Sequence, residues 1–237
     1  MKELKTILQV AMSVVVITTL SGCSQKFQDV KDTMSLAVFG HEDIELNANQ
    51  INDLPYASLY AKVEGSGQAF LVLGYANASF SNLPDGIDNY QLKWLSANKE
   101  MLVTEHGRIT KTVNLLSGNL EASYSHQADP VALGLLKNST PRVWKRKVDW
   151  SPGYHTGYLL ESRFELQGEN TLMINEKPVE TLHFIEYVSA PDLDIQFTNH
   201  FWLQPLSGHV VASTQTPAPG LPKIDITLLK PFAVGAQ

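Results

Sequence analysis

The sequence has a single cysteine, Cys23. This excludes any intramolecular disulfide and any zinc or iron–sulfur site built on several cysteines. It also lacks a long apolar run: Ile7 to Leu20 is the longest mostly apolar stretch, and Gln9, Ser13, Thr18 and Thr19 interrupt it. Fourteen residues fall short of the about 20 that a helix needs to cross a bilayer. Basic residues are in deficit, with 18 Lys and Arg against 24 Asp and Glu and a net charge of −6, which argues against a general nucleic-acid binder. Seven histidines are present, but none forms the closely spaced pair of a helical zinc motif. Neither a nucleophile elbow nor a phosphate-cradling glycine loop occurs, and Gly65-Ser66-Gly67 has the form of a tight turn between strands.

What is present is first an address. Lys2 and Lys5 precede the short apolar core, and Leu20-Ser21-Gly22-Cys23 follows it. A positive start, a short apolar core and small residues before a cut describe a secretory signal over residues 1–22. An aliphatic residue, two small residues and a cysteine form a bacterial lipobox, in which the thiol is the nucleophile that accepts the diacylglyceryl group. Cys23 is therefore the expected lipidation site and the first mature residue. Several acyl chains on one residue anchor far more firmly than a single chain, which binds marginally. Ser24, rather than aspartate, follows the cysteine, and this points to the outer membrane with the remaining chain in the periplasm or at the cell surface.

Hydrophobic residues make up 43% and charged residues 18% of the chain, a globular composition. Residues 23–53 form a lipidated N-terminus with a short helix suggested by Phe27, Val30, Met34 and Val38 and stopped near Gly40. A second short turn or helix is expected over Asn47 to Asp53, closed by Leu54-Pro55. Residues 54–237 read as one β-rich domain. Period-two alternation begins at Tyr56 and gives about a dozen strands, including separate ones at 157–167 and 170–175. Glu105-His106-Gly107 and Asn175-Glu176-Lys177-Pro178 are turn sequences, and Asp129-Pro130 can cap a helix through Lys137. The fold expected is mainly β: a strongly curved antiparallel sheet or open barrel with one or two short helices.

Chemistry-bearing clusters are few. Asp192 and Asp194 share a face if extended, but follow Ala190-Pro191 and read as an exposed start of a strand. Asn199 lies in a row with Ile195, Phe197, Phe201 and Leu203, so a buried amide there needs partners and organises a hydrogen-bond network. His200 and Trp202 lie on the opposite face. Trp144, Arg146, Val148 and Trp150 share one face of a strand, and Arg142, Lys145 and Lys147 add positive charge. Tryptophan offers apolar faces to sugar rings and arginine a planar set of donors to anions. Trp144, Arg146, Trp150 and Arg142 are thus candidate contacts for an acidic polysaccharide or a lipid headgroup; the alternative is a lysine-protected edge strand with partly buried tryptophans. No catalytic residue, metal site or cofactor is indicated.

Several segments together resemble a known family. Cys23 with its short helix is followed by Leu54-Pro55-Tyr56-Ala57, Leu73-Gly74-Tyr75, Lys93-Trp94-Leu95-Ser96 and Leu102-Val103-Thr104. Then come Gly107-Arg108 with Lys111-Thr112, Phe201-Trp202 with Gly208 and Val210, and Leu228-Leu229-Lys230-Pro231. In this order and spacing they are similar to the YjbF/GfcB family of bacterial lipoproteins over residues 23–232. The resemblance implies an all-β architecture and an association with group 4 capsule and exopolysaccharide production, beside an export system with an outer-membrane channel and periplasmic partners. It supplies no catalytic residue; only the lipidated cysteine carries over, onto Cys23. Three functions stay open: a non-enzymatic accessory of polysaccharide export, a carrier of acyl chains or lipoproteins with a large apolar cavity, and a polysaccharide-modifying enzyme with paired carboxylates in a cleft.

Overall fold

The computed structural model describes residues 43–79, 83, 84, 87 and 89–233. Cys23, the leader and the helix expected over residues 27–38 lie outside the described residues. Among the described residues twelve strands are formed: β1 Ser58–Val63, β2 Gln68–Ala78, β3 Tyr90–Leu95, β4 Met101–Glu105, β5 Arg108–Val113, β6 Asn119–Tyr124, β7 Val143–Ser151, β8 His155–Ile174, β9 Lys177–Ala190, β10 Ile195–Leu203, β11 Val210–Gln215 and β12 Ile224–Lys230. All pair antiparallel in one sheet of order β5-β4-β3-β2-β1-β12-β11-β10-β9-β8-β7-β6. The first and last strands meet, as Ser58 to Val63 pair with Lys230 to Ile224. The two sheet edges are therefore β5 and β6, which follow one another in the chain.

Those edges come together without a backbone ladder. The Leu120 N–H donates to Thr112 Oγ1 at 2.9 Å, and Asn119 Oδ1 accepts from the Leu115 N–H at 3.0 Å and from Thr112 Oγ1 at 3.3 Å. Lys111 Nζ reaches the Glu121 carbonyl at 3.2 Å. Side chains thus close the barrel-like sheet where β5 ends and β6 begins. The opposite end of this seam, between Arg108 and Tyr124, has no such bridges among the described residues.

Local sequence explains the connections. His106 and Gly107 have φ of +49° and +89°, and Asn175 and Glu176 have +51° and +62°, as two-residue hairpins require. Helix α1, Ala48–Asp53, starts with a capping box: Asn47 Oδ1 accepts from the Gln50 N–H and Gln50 Oε1 from the Asn47 N–H, at 3.0 and 2.9 Å. Leu54 is extended, as a residue before proline prefers. Helix α2, Pro130–Leu133, is capped by Asp129 but ends at Gly134, one turn short of the expected Lys137. The strands expected at 157–167 and 170–175 are one strand, β8. Its ladder takes up Gln167 as the extra residue of a bulge between Leu166 and Gly168, and a bulge preserves pairing where a sequence suggests a break. Past Leu166 and Leu182, β8 and β9 pair only with each other, so Leu166, which alternation would turn inward, is exposed.

The interior is filled. One apolar cluster joins Leu59, Leu71, Trp94, Leu102, Val148, Leu160 and Val188, and a second joins Leu135, Trp144, Phe164, Phe184, Phe201 and Leu203. Burying each such side chain contributes about 1.5–3 kcal/mol. The β11–β12 loop also folds inward: Ala218 and Leu221 belong to the first cluster, and the Thr216 N–H donates to Asn199 Oδ1 at 2.8 Å.

Candidate functional site

The alternation in β7 is realised, and its Trp–Arg–Trp face points inward. Trp144, Arg146 and Trp150 are only 5%, 4% and 5% exposed, so they form no solvent-facing patch. The reason is the company they keep: neighbouring rows Leu160, Phe164, Phe184 and Val188 offer an apolar wall that tryptophan joins, and a buried carboxylate pairs with Arg146. The outer face of β7 carries Val143, Lys145 and Lys147, and Lys145 Nζ is bonded to Glu161 at 2.5 Å. Arg142 is half-buried; its Nη1 donates to the Leu135 carbonyl at 2.7 Å, with the guanidinium 5.5 Å from the Phe184 ring centre. Trp150 stacks on His155 at 4.3 Å. On the outer face of β10, His200 and Trp202 stack beside His183, whose Nε2 lies 3.0 Å from His200 Nδ1. Burial lowers both imidazoles below their ordinary pKa, with His200 adding to the effect on His183 and Lys223 to that on His200.

Between the two apolar clusters lies a charged layer. Four consecutive strands each place one polar inward residue there: Arg146 on β7, Ser162 on β8, Glu186 on β9 and Asn199 on β10. Glu186 has no exposed surface and accepts from Arg108 Nη1 at 2.9 Å, Arg146 Nη1 at 3.0 Å and Asn199 Nδ2 at 2.8 Å. Arg146 also donates to Ser162 Oγ at 2.7 Å. Arg108, from β5, donates through Nε and Nη2 to Asp129, the latter at 3.2 Å. The guanidinium groups of Arg108 and Arg146 lie 4.7 and 4.8 Å from the Trp144 ring centre, at cation–π distance. From across the barrel, Gln215 accepts the Ile109 N–H at 3.0 Å and donates to the Gly107 carbonyl at 2.8 Å. Edge strand β5 is thereby tied to the interior.

Burial alone would raise the Glu186 carboxyl. The two guanidinium charges and the hydrogen bonds from Arg108 and Asn199 outweigh it and hold the pKa at about 2. Burial also opposes the charge on Arg108, but Asp129 and Glu186 overcome it and raise its pKa. Arg146 has one carboxylate partner and a like-charged neighbour in Arg108, so burial prevails and lowers it; a guanidinium remains protonated at neutral pH regardless.

At the unbridged end of the seam this layer meets a cavity of about 270 Å³, walled by Gln91, Glu105, Arg108, Thr110, Ser123, Tyr124, Gln127, Asp129 and Trp144, among others. Glu105 is held in place by Gln91 Nε2 at 2.9 Å, Ser79 Oγ at 3.1 Å and Asn89 Nδ2 at 3.2 Å. Trp144 Nε1 donates to the Gln127 carbonyl at 3.2 Å. The adjacent His106 is drawn below its ordinary pKa by burial, against the pull of Asp129 and Glu105, so it adds no positive charge near pH 7. By contrast, a mainly apolar cavity near Leu59, Trp94, Val211 and Leu228 has about 70 Å³. An open depression of about 840 Å³ crosses the outer faces of β7 to β10. Among the described residues, no group of three or more His, Cys, Asp or Glu is placed to hold a metal ion, and no helix is long and apolar enough to cross a membrane.

Comparison with known proteins places this architecture. The family model described as group 4 capsule polysaccharide lipoprotein gfcB, YjbF matches residues 31–229. The chain belongs to this family. The Escherichia coli K12 protein described as uncharacterized lipoprotein GfcB is 34% identical over 213 residues, covering 90% of this chain and 94% of the relative. The protein described as uncharacterized lipoprotein YjbF, from the same organism, is 29% identical over 197 residues, or 80% and 83% of the two chains. The crystal structure of the hypothetical lipoprotein YmcC from E. coli K12 superposes with a TM-score of 0.71 at 29% identity, over 90% of this chain and all of that one. A mainly β sheet, curved to near closure, agrees with the expected fold.

For this capsule lipoprotein family member, sequence reasoning found one part of the charged layer and missed the rest. Asn199 does organise a buried network. Glu186 carries no sequence expectation, Arg108 stands only among the family segments, and Asp129 only as a helix cap. The available signal was a charge in an apolar row: Phe184, Glu186 and Val188 alternate inward, as do Trp144, Arg146 and Val148. Asp129 is the helix cap its position before Pro130 suggests and a counter-ion at once, accepting from the Val131 N–H at 2.9 Å as well as from Arg108.

Proposed function

We propose that this protein is an outer-membrane-anchored accessory lipoprotein of capsule or exopolysaccharide secretion or assembly. It acts through non-covalent contacts of its β-rich domain with export proteins or glycan. Residues 1–22 are removed, Cys23 carries the lipid, residues 23–53 lead from it, and residues 54–237 form the working domain. The observation that carries this reading is the match to the capsule lipoprotein family over residues 31–229. The filled interior supports it over an acyl carrier, because the mainly apolar cavity of about 70 Å³ is well below the roughly 300–1,000 Å³ of small-molecule sites. The hydrogen bonding of the carboxylates supports it over an enzyme: Glu186 is bound by three donors and Asp129 by Arg108, and Glu105, which shares the seam cavity with Asp129, is likewise bound by three donors.

The test is exported polysaccharide per cell in a deletion strain carrying no copy, the wild type or Cys23→Ser, with membrane fractions blotted for each. Polymer is expected to fall in the deletion, recover with wild type and stay low with Cys23→Ser. Unchanged polymer in the deletion, under conditions that express the operon, overturns the proposal. Full recovery with Cys23→Ser overturns the requirement for the anchor.

A further inference from the structure

The cavity at the seam opens onto the charged layer of the barrel-like sheet, with Arg108 and Asp129 in its wall. Its chemistry is not that of a packing fault. Apolar voids are lined by aliphatic groups and stay dry, whereas this one is walled by two carboxylates, a guanidinium, two side-chain amides, hydroxyls and an indole, beside the apolar Leu83, Ala128 and Ala132. Its shape is fixed from below, since Arg108 holds Asp129 and is itself held by Glu186. It is fixed at the side too, since three donors orient Glu105. A preorganised polar wall needs little ordering when a ligand arrives.

We propose that this cavity is a saccharide subsite that takes one neutral, hydroxyl-rich sugar residue and rejects a carboxylated one. The choice of a glycan as the class of occupant rests on the accessory role proposed above; the polarity and charge of the site do not. Charge decides the selectivity. Arg108 is offset by Asp129, and Arg146 by Glu186, which leaves Glu105 with hydrogen-bond donors but no ion-pair partner among the described residues. An added carboxylate meets repulsion there, while sugar hydroxyls donate to Glu105 and Asp129, whose oxygens accept only. Gln127 is exposed, and its side chain makes one long contact, accepting from the Lys145 N–H at 3.4 Å. Its amide N–H groups supply donors for a ring oxygen or hydroxyl. The exposed Tyr124 ring offers apolar surface to C–H faces, and the edge of the buried Trp144 indole lies at the wall, where its resonance reports on the cavity. A volume of about 270 Å³ lies near the lower end of ligand pockets and suits a single ring. The subsite thus reverses the expectation of an acidic glycan held by Arg146: the guanidinium is spent on Glu186, and the opening presents carboxylate.

The test uses the full mature lipoprotein in detergent. The probes are oligosaccharides released by mild acid from the producing cell's own surface polysaccharide, separated on an anion exchanger into neutral and acidic pools. The indole N–H resonance of Trp144, identified by its loss in Trp144→Phe, is followed during titration. The neutral pool is expected to shift it, the acidic pool to leave it in place, and Gln127→Leu and Glu105→Gln each to weaken binding about tenfold, the worth of one good hydrogen bond. Gln127→Leu alters an exposed side chain, so its folding is not at issue. A shift by neither pool, or by the acidic pool alone, overturns the inference. Polysaccharide output in the deletion strain separates the two proposals: output that falls while no pool binds leaves the accessory role standing without this subsite. Binding with unchanged output leaves the subsite standing without that role.

Discussion

Replacing Glu186 by glutamine isolates the energetics of the charged layer. The substitution keeps size and shape and removes one charge at a position with no exposed surface. Arg108 retains Asp129. Arg146 retains Ser162 Oγ and no carboxylate, and the new amide turns N–H groups toward at least one guanidinium. Stranding one charge of a buried pair costs about 3–5 kcal/mol. The pKa gives an independent figure: a carboxyl lowered from 4.5 to about 2 corresponds to about 3 kcal/mol of stabilisation. In urea unfolding followed by tryptophan fluorescence at pH 7, with a slope of roughly 2–3 kcal/mol/M, the midpoint should fall by about 1–2 M. Adding Arg146→Met to Glu186→Gln removes the stranded charge and should restore about 1–2 kcal/mol. The pH dependence has a fixed sign. The folded-state pKa lies below the unfolded one, so the contribution of Glu186 is complete above about pH 4.5 and is lost as pH falls toward 2. The gap between wild type and Glu186→Gln should therefore narrow on acidification through that window. A loss below about 1 kcal/mol at pH 7, or a gap that stays constant down to pH 3, refutes the reasoning.

Two further substitutions probe how the layer connects to its surroundings. Asn199→Ala removes the acceptor of the Thr216 N–H and a donor to Glu186; leaving buried groups unpaired should cost about 2–4 kcal/mol, and the Thr216 amide should lose hydrogen-exchange protection while amides of β1 and β2 keep theirs. Gly107→Ala places a Cβ 2.6 Å from Val210 Cβ at a φ of +89°; strain and overpacking together should cost roughly 2–4 kcal/mol, read as a lowered urea midpoint, and an unchanged midpoint would show that the β4–β5 turn relaxes freely.

The legible part of this molecule was the part that repeats. Period-two alternation marks strands such as β7, whose two faces meet core and water in turn. Turn residues mark the hairpins because two adjacent left-handed residues are costly outside a few sequences. What alternation does not carry is which wall a row faces, and so the row Trp144, Arg146, Val148 and Trp150 fits a glycan-contacting surface and a buried wall equally well. Arginine between tryptophans has the same local pattern on a glycan-binding surface and in a core where the carboxylate lies 40 positions away. The closing seam was equally silent, because it joins β5 and β6 through side chains such as Thr112 and Asn119 whose residue types also suit ordinary turns.

The charged layer and the seam cavity are best understood as one construction. A sheet whose edges meet without a ladder has unpaired backbone along β5 and β6, and exposed edges invite pairing with other chains. Here β5 is held from inside: Gln215 takes up the backbone at Gly107 and Ile109, and Arg108 is bound to β9 through Glu186. Once that edge is fixed by interior charge, the seam need not be zipped along its whole length, and its unbridged end can stay polar and open. An apolar core of the same volume could match the stability, but it would leave Asp129 without Arg108 and the wall of the cavity without its floor. Glu186→Gln should for this reason weaken glycan binding as well as folding, although no atom of Glu186 lines the cavity. At a urea concentration where both proteins remain folded, a variant that is destabilised yet binds the neutral pool with unchanged affinity would separate the two roles and show that the cavity keeps its shape without the charge beneath it.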